Sequence, residues 1–600
     1  CGACVEVCPT GALTDKEIKA ANKEESLVPC KFTCPAGIDI PRYINYIARK
    51  EFKKAIAVIR ERVPLPAILG AVCFHPCEVE CRRGDVNEPV AICALKHFAA
   101  ELDTGGWKEK IKKLPSTGKK VAIIGSGPAG LTASYYLALL GHDVTIFEKE
   151  NDPGGMLRYG IPYYRLSENT LNKDINEIIN LGVTFKNNTR VGDEIKLSDI
   201  KRDFDALFIA AGAPLTRKIN IEGIDLNGVM WGVNFLKEVK MEKKQDIGDQ
   251  VVVIGGGNVA IDVALTSLRL GPKEVQMACL EKREEMPAHE WEIEQALEEG
   301  IKINTSWGPK RIIEDNGKVA GIELMRCTNV FDENGNFNPV YDEKETKTIL
   351  CDNVIMAIGQ ASDLSFLEDM QQIKQKRGTI EIDKNLSTGV EGIYAGGDVA
   401  IVPGSVIDSV ANGRAVAVAI DKYLGGKGDI EEVLTEKEPR DPYIGKSEGF
   451  ADLPRISPPH LPVEERKENF NTIEQVYNEE AALKEAKRCL QCDLRLLISE
   501  VALPPEHYLE FNSENVSKVP EVAGVYQLLD ETKKPIVIKG SMNIREDIDR
   551  ELEENENVTW FEWEADEMYT KRESELIQQH LQKYGEMPSG GGADDLDDLF

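Results

Sequence analysis

The sequence predicts a multidomain α/β protein built on two Rossmann-like dinucleotide-binding folds, with cysteine-rich parts around them. Three observations carry this: a length of 600 residues, two glycine loops each set between an apolar strand and a helix, and fourteen cysteines gathered into clusters. Single cores stop growing near about 250–300 residues, so at least three folded units are expected. The chain is 42% apolar and 29% charged, with a net charge of −30. That composition is ordinary for a globular protein, and the charge repels nucleic acid and anionic membrane alike. No apolar run approaches the ~18 residues of a membrane span and no signal peptide is seen. A cytoplasmic protein without membrane insertion is expected.

The chain opens on CGACVEVCPTGAL, where Cys1, Cys4 and Cys8 read C-x2-C-x3-C-P. This is the last part of the bacterial ferredoxin run, whose thiolates hold [4Fe–4S] cubes. With no initial methionine, an upstream part bearing the missing first cysteine is expected. A zinc site and an N-terminal nucleophile at Cys1 are the rival readings; the Cys-Pro ending favours iron–sulfur. Next come Cys30, Cys34, Cys73, Cys77, Cys81 and Cys93, six thiols where each cube needs four. Cys489 and Cys492, from RCLQCD, raise the number to eight, enough for two full sites. A disulfide framework belongs instead to small secreted domains. Cys279, Cys327 and Cys351 stand singly and read as small hydrophobes.

VAIIGSGPAGLTASYYLALLGHDVTIFEKE is a strand, a glycine turn, a helix and a second strand ending in acid. Its loop is Gly125, Ser126, Gly127, Pro128, Ala129 and Gly130. Gly125 permits the turn, Gly127 lets backbone approach a pyrophosphate, and Gly130 lets helix pack on strand. Glu148, with Lys149 beside it, lies about 20 residues on, placed for ribose hydroxyls. VVVIGGGNVAIDVAL repeats the arrangement through Gly255, Gly256, Gly257, Asn258, Val259 and Ala260. Two such units mean two nucleotides.

IYAGGDV, with Gly397 and Asp398, resembles the second FAD motif of two-dinucleotide flavoproteins. The helix that follows would point its N-terminus, near Ser405 and Val406, at the flavin, where its dipole favours an anionic ring. More broadly, the segment from about 25 to 430 resembles the glutamate synthase small subunit and the matching half of dihydropyrimidine dehydrogenase. GGMLRYGIP, with Gly155 and Leu157, matches the flavin-side loop of the former. The resemblance implies FAD on the first fold, a nicotinamide on the second, and a helical domain with two [4Fe–4S] cubes ahead of both. By position it implies that Cys30, Cys81, Cys489 and Cys492 hold one cube and Cys34, Cys73 and Cys77 the other. The chain must then fold back so that RCLQC completes the N-terminal domain. The relatives' fourth ligand, a glutamine, falls on Lys96, a poor ligand; Cys93, one turn earlier, is the substitute. Their NADPH-using members carry Tyr-Arg-Arg where this chain, aligned on Met286 and Pro287, has Cys279, Leu280 and Glu281. Glu281 would repel a 2′-phosphate and suit NAD(H), although Lys282 and Arg283 follow and could serve NADP(H).

The resulting architecture is a helical two-[4Fe–4S] domain, a Rossmann-like FAD domain with an NAD domain inserted in it, and a small α+β C-terminal unit. The expected boundaries are 1–16 for the ferredoxin-like remnant, 17–112 for the two-cluster domain, 113–225 and 371–430 for the FAD domain, and 226–370 for the NAD(P) domain. Residues 431–510 are a linker and returning helix, 511–588 the C-terminal unit, and 589–600 an acidic flexible tail. That unit resembles a degenerate GIY-YIG endonuclease scaffold: Gly524, Val525 and Tyr526 match, but Val537 and Asp547 replace a tyrosine and an arginine. With Glu575 alone and acidic runs around it, an inactive docking unit is expected. The tail reads first as a solvated end. Among the histidines only His75, inside CFHPC, lies near the expected chemistry, tuning a cube rather than binding it; the carboxylate runs read as solvated faces.

No cysteine pair stands beside either glycine loop, so electrons leaving FAD must go to clusters or another protein. The expected function is electron transfer between nicotinamide, FAD, [4Fe–4S] clusters and a partner in a hetero-oligomer. The partner would be a hydrogenase, an aldehyde or formate oxidoreductase subunit, or a ferredoxin, with electron bifurcation a variant. The alternatives are an NADPH-dependent glutamate synthase small subunit and, from another class, a nucleic-acid repair protein using the C-terminal unit.

Overall fold

The computed structural model describes residues 23–401, 404–440, 448–497, 508–555 and 557–588. Cys1, Cys4 and Cys8, and the tail 589–600, lie outside the described residues.

The N-terminal part is a helical layer. Helices Pro29–Thr33, Pro66–Val72 and Pro76–Val79 start on proline, whose fixed φ and missing N–H suit a first turn. In Ile40–Ala48 the residues Ile40, Tyr43, Ile44 and Ile47 recur at helical spacing and are buried. Helix Ile92–Glu101 is buried from Ile92 to Ala100, because helices Ile40–Ala48, Phe52–Arg60, Pro66–Val72 and the distant Glu479–Lys487 pack round it. Charge inside this layer is paired: Arg60, 2% exposed, sits 2.8 Å from Asp103 and 3.3 Å from Asp174.

Two parallel five-stranded sheets follow. The first has the order Ile393–Ala395, Ala206–Ile209, Lys120–Ile124, Asp143–Phe147, Thr184–Lys186. The second runs Val229–Trp231, Asn353–Met356, Gln250–Ile254, Glu274–Cys279, Lys302–Thr305. Covered on both faces, their central strands are unbroken apolar runs rather than alternating ones. All strands of the second sheet fall in sequence between Ala206–Ile209 and Ile393–Ala395 of the first. A short antiparallel pair, Leu215–Thr216 with Gln360–Ala361, links the two folds.

Two features had no counterpart in the sequence reading. A three-stranded antiparallel sheet (Trp307–Asp315, Lys318–Phe331, Phe337–Leu350) covers one face of the second fold, where Ile312, Ile322 and Leu324 pack with Val252 and Ile254. The described residues 431–440 and 448–478 of the segment expected as a linker form a packed strap. Leu434 and Thr435 donate backbone N–H groups to Glu61, Arg83 donates to the carbonyls of Phe450 and Ala451, and Arg455 pairs with Glu78 at 2.6 Å. The strap then crosses the second fold, where Ile473 donates to the Tyr164 carbonyl and Arg466 pairs with Glu298, before helix Glu479–Lys487 returns to the helical layer.

Residues 508–588 form a four-stranded sheet, in which Trp560–Ala565 lies between Leu509–Glu510 and Gly524–Leu529, with Pro535–Ser541 at one edge. The expectation that the acidic runs are solvated fails here. Glu562 and Glu564 of EWEADE are half-buried in an inner strand, bonded to Gln527 and Arg572. Alternation of charge with tryptophan had disguised a strand.

Candidate functional site

The first glycine loop owes its shape to close approach. Gly125 has φ +97°, and a Cβ there would lie 2.4 Å from the Ala210 carbonyl; one on Gly130 would lie 2.1 Å from the Gly125 carbonyl. A Cβ on Gly127 would meet nothing within 4 Å, so that side is open for a phosphate at the start of helix Pro128–Leu139. Glu148 accepts from the Ser126 N–H at 3.0 Å and from the Ser126 hydroxyl, which in turn accepts from the Gly154 N–H at 2.9 Å. The loop, the acid and the 154–155 turn are thereby tied together.

These parts open into one cavity of ≈590 Å³. Its wall includes every residue expected to bind FAD except Gly130: Gly125, Ser126, Gly127, Pro128, Ala129, Glu148, Lys149, Gly155, Leu157, Gly397, Asp398, Ser405 and Val406. Gly130 instead packs helix on strand. Helix Val406–Tyr423 begins at Ser405, whose hydroxyl accepts from the Asp408 N–H at 3.2 Å. At the same end a buried oxygen of Asp398 has no hydrogen-bond donor, and burial, with Asp408 nearby, pushes its pKa up to about 6. A ligand carrying hydroxyl groups fits such an acceptor, as the sugar chain of FAD would.

The second loop repeats the geometry. Gly255 has φ +144°, and a Cβ there would meet the Ala357 carbonyl at 2.3 Å, while Ala260 is fully buried against it. A Cβ on Gly256 would lie 2.8 Å from a Glu281 carboxylate oxygen, so that acid hangs over the loop. Burial raises the Glu281 pKa. The two following cations are already engaged: Lys282 with Glu285 at 3.3 Å and Arg283 with Glu290 through a 3.0 Å hydrogen bond. Asn258 and His289 reach the wall of the first cavity, but Gly255, Gly257, Val259 and Ala260 do not.

The thiols gather into two sets. Burial, then Cys489, Cys492 and Cys81, push the Cys30 thiol well up, so the returning pair sits beside the N-terminal thiols. Cys34, Cys73, Cys77 and Cys93 form the second set around Lys96, the Cys93 sulfur lying 3.4 Å from the Gly70 carbonyl and 3.8 Å from that of Cys73. Buried acids that raise one another's pKa need positive charge among them to ionise, which iron supplies. Among the described residues no three His, Cys, Asp or Glu side chains converge on a point that a single ion would occupy. Ligands of a four-iron cube stand further apart, around the cube. Two sets of four thiols match the ligand number of two cubes.

Sequence reasoning missed the aromatic junction. Phe74 stacks on His289 (5.8 Å, 9°), His289 on Trp291 (4.4 Å, 7°), and Trp291 meets the His75 ring at 4.5 Å. The thiol loop and the second fold are so joined at the cavity, which Val72 and Phe74 also line. The aromatic residues within CFHPC were the available signal. In the C-terminal unit the nuclease-like residues stay apart. Tyr526 is paired with Trp563 across the sheet and bonds Glu551 at 3.0 Å, whereas Glu575 pairs with Arg572, which reaches the adjacent, opposite-facing Glu564.

Two dinucleotide-type glycine loops, the first opening into a cavity that Asn258 of the second and Val72 and Phe74 of the thiol-bearing layer also line, define a flavoprotein oxidoreductase of the two-dinucleotide type. Residues 119–417 match the model of the pyridine nucleotide-disulphide oxidoreductase family, and residues 26–106 that of dihydropyrimidine dehydrogenase domain II, 4Fe-4S cluster. The chain is 38% identical over 518 residues to the NADP(+)-dependent formate dehydrogenase subunit beta of Moorella thermoacetica (81% of this chain, 72% of that one). It is 35% identical over 514 residues to the NADPH-Fe(3+) oxidoreductase subunit beta of Geobacter sulfurreducens (77% and 75%). It is also 33% identical over 401 residues to the NAD-dependent dihydropyrimidine dehydrogenase subunit PreT of Escherichia coli (66% and 91%). The chain belongs to the pyridine nucleotide-disulphide oxidoreductases that carry a dihydropyrimidine dehydrogenase-type 4Fe-4S domain, and it is an NAD(P)H oxidoreductase.

Proposed function

We propose that this chain is the electron-transfer subunit of a larger redox assembly, oxidising NADH and passing electrons singly to a partner subunit. Bound here, a nicotinamide would supply a hydride, and FAD with the cubes would supply the conversion of that electron pair into single electrons. The chain's own residues arrange this. The 255–260 loop takes the nicotinamide dinucleotide, and Glu281 accepts its ribose hydroxyls. Gly125–Gly130, Glu148, Asp398 and the Ser405 helix end would hold FAD, in a cavity that Leu157 and Phe74 also line. Cys34, Cys73, Cys77 and Cys93 hold the inner cube; Cys30, Cys81, Cys489 and Cys492 hold the outer one.

The observation that carries this reading is the shared wall: Val72 and Phe74, either side of Cys73, line the same cavity as the FAD cradle and as Asn258 and His289 of the second fold. A donor, a flavin and a first acceptor held by these elements would be neighbours. The preference for NAD(H) is supported by Glu281 over Gly256 and by the ion pairs that occupy Lys282 and Arg283, even though two of the relatives are named for NADP(H). From the outer set the route would continue through Cys1, Cys4 and Cys8 to the partner. The unit 508–588 serves as a docking module, its Glu575 being held in ion pairs. Anaerobic protein loaded with FAD and iron tests the reading. NADH should bleach the flavin and reduce two cubes in the helical layer, and iron and sulfide should exceed two cubes per chain. A cluster absorbance indifferent to either nucleotide would overturn it.

A further inference from the structure

Buried charge in the helical layer is matched pair by pair: Arg60 with Asp103 and Asp174, Glu78 with Arg455, Glu485 with Arg488. Lys96 is matched differently. It is 4% exposed on helix Ile92–Glu101, one turn beyond Cys93 and on the same face. Cys93 places that face against the end of helix Pro66–Val72, through the carbonyls of Gly70 and Cys73. Helices Pro29–Thr33 and Pro76–Val79, which pack together, bring Cys34 and Cys77 to the same place. The nearby carboxylate of Glu78 is turned to other partners, accepting from the Cys93 N–H at 2.8 Å and pairing with Arg455.

Burial disfavours the charge on this lysine, and the neighbouring sulfurs of Cys73, Cys93, Cys77 and Cys34 favour it. Lys96 in turn acts on each of those four sulfurs. A protonated amine has three N–H donors and no lone pair, so it can donate to sulfur but cannot ligate iron. Hydrogen bonds and charge next to a cluster's sulfurs are among the levers that set its potential.

We propose that Lys96 is a built-in counter-cation for the cube held by Cys34, Cys73, Cys77 and Cys93, raising that cube's reduction potential without binding its iron. One electron from the flavin adds one negative charge to the cube and moves no atom; Lys96 offsets that added charge and so favours the reduced form. The inner site then takes up an electron more readily than it would without the lysine. This rests on the assignment of the thiol sets proposed above.

The test is an anaerobic redox titration of the loaded full chain, following each cube by its EPR signal, with Cys73→Ser identifying the inner one. In Lys96→Met the iron content should match wild type. At the wild-type midpoint the inner cube's reduced-to-oxidised ratio should fall at least tenfold, ~59 mV for one electron, with the outer cube unchanged. Lys96→Arg, which keeps the charge, should stay close to wild type. An unmoved inner midpoint in Lys96→Met overturns the proposal. So does loss of one cube's iron in both Lys96 variants while Cys93→Ser keeps it, since Lys96 would then be a ligand. If only Lys96→Met fails to load, Lys96→Arg decides: a midpoint near wild type supports the proposal, and a lowered one overturns it. A wild-type protein holding no inner cube would sink the thiol assignment itself, an outcome distinct from a loaded cube indifferent to Lys96.

Discussion

At the scale of single residues, Asp398 and Glu281 carry the sharpest expectations. The Asp398 pKa is about 6 because one oxygen is buried without a donor and Asp408 is close. Hydroxyl donors on a ligand favour the charged carboxylate, so FAD binding should lower that pKa and release a proton. FAD affinity is therefore present in full above about pH 6 and weakens as pH falls through that value. Calorimetric titration of the apoprotein at several pH values should show this, and Asp398→Asn should bind FAD about 1.5–3 kcal/mol more weakly with the pH dependence flattened. Glu281→Arg removes the acid over Gly256 and offers a cation to a 2′-phosphate. The ratio of kcat/KM for NADPH over NADH should rise at least tenfold, an effect of about 1.4 kcal/mol; an unchanged ratio would mean another residue reads the ribose.

At the scale of elements, what was legible in the sequence was what is local. Strand, glycine turn and helix are contiguous, and their spacing alone picks out Gly125, Glu148 and Gly255, whereas Glu281 needed the resemblance, aligned on Met286 and Pro287. The strap was illegible because it has almost no periodicity. It is held by side chains of other segments reaching its backbone carbonyls, as Arg83 does at Phe450 and Arg488 at Leu453. The aromatic junction was equally hidden, since Phe74 and Trp291 meet only once the folds are docked. In Trp560–Ala565 the acid at alternate positions read as solvent-facing, whereas Arg572 folds over it. The strap's weight can be measured. Arg488 is 1% exposed, donates to the carbonyls of Pro89, Glu88 and Leu453, and pairs with the fully buried Glu485 at 2.8 Å. Arg488→Ala strands that carboxylate and should cost about 3–5 kcal/mol in denaturant unfolding of the helical layer. Cys489→Ala should remove the iron of one cube from the same layer; loss of stability confined to residues 508–588 would refute the fold-back.

At the scale of the molecule, three layers meet at one cavity: the FAD fold contributes the floor, the second fold brings Asn258 and His289, and the helical layer brings Val72 and Phe74. Val72 and Phe74 flank Cys73, so the thiol set of Cys73 adjoins the cavity wall. No helix among the described residues is long and apolar enough to cross a membrane. The central claim is that electrons pass from NADH through the flavin to the inner set before the outer. Anaerobic rapid mixing of NADH with wild type and Cys73→Ser tests it most directly, following flavin absorbance and the two cube signals together. The account predicts that flavin bleaching in Cys73→Ser stays near the wild-type rate while reduction of the outer cube is slowed at least tenfold. Outer-cube reduction at an unaltered rate in that variant would contradict it.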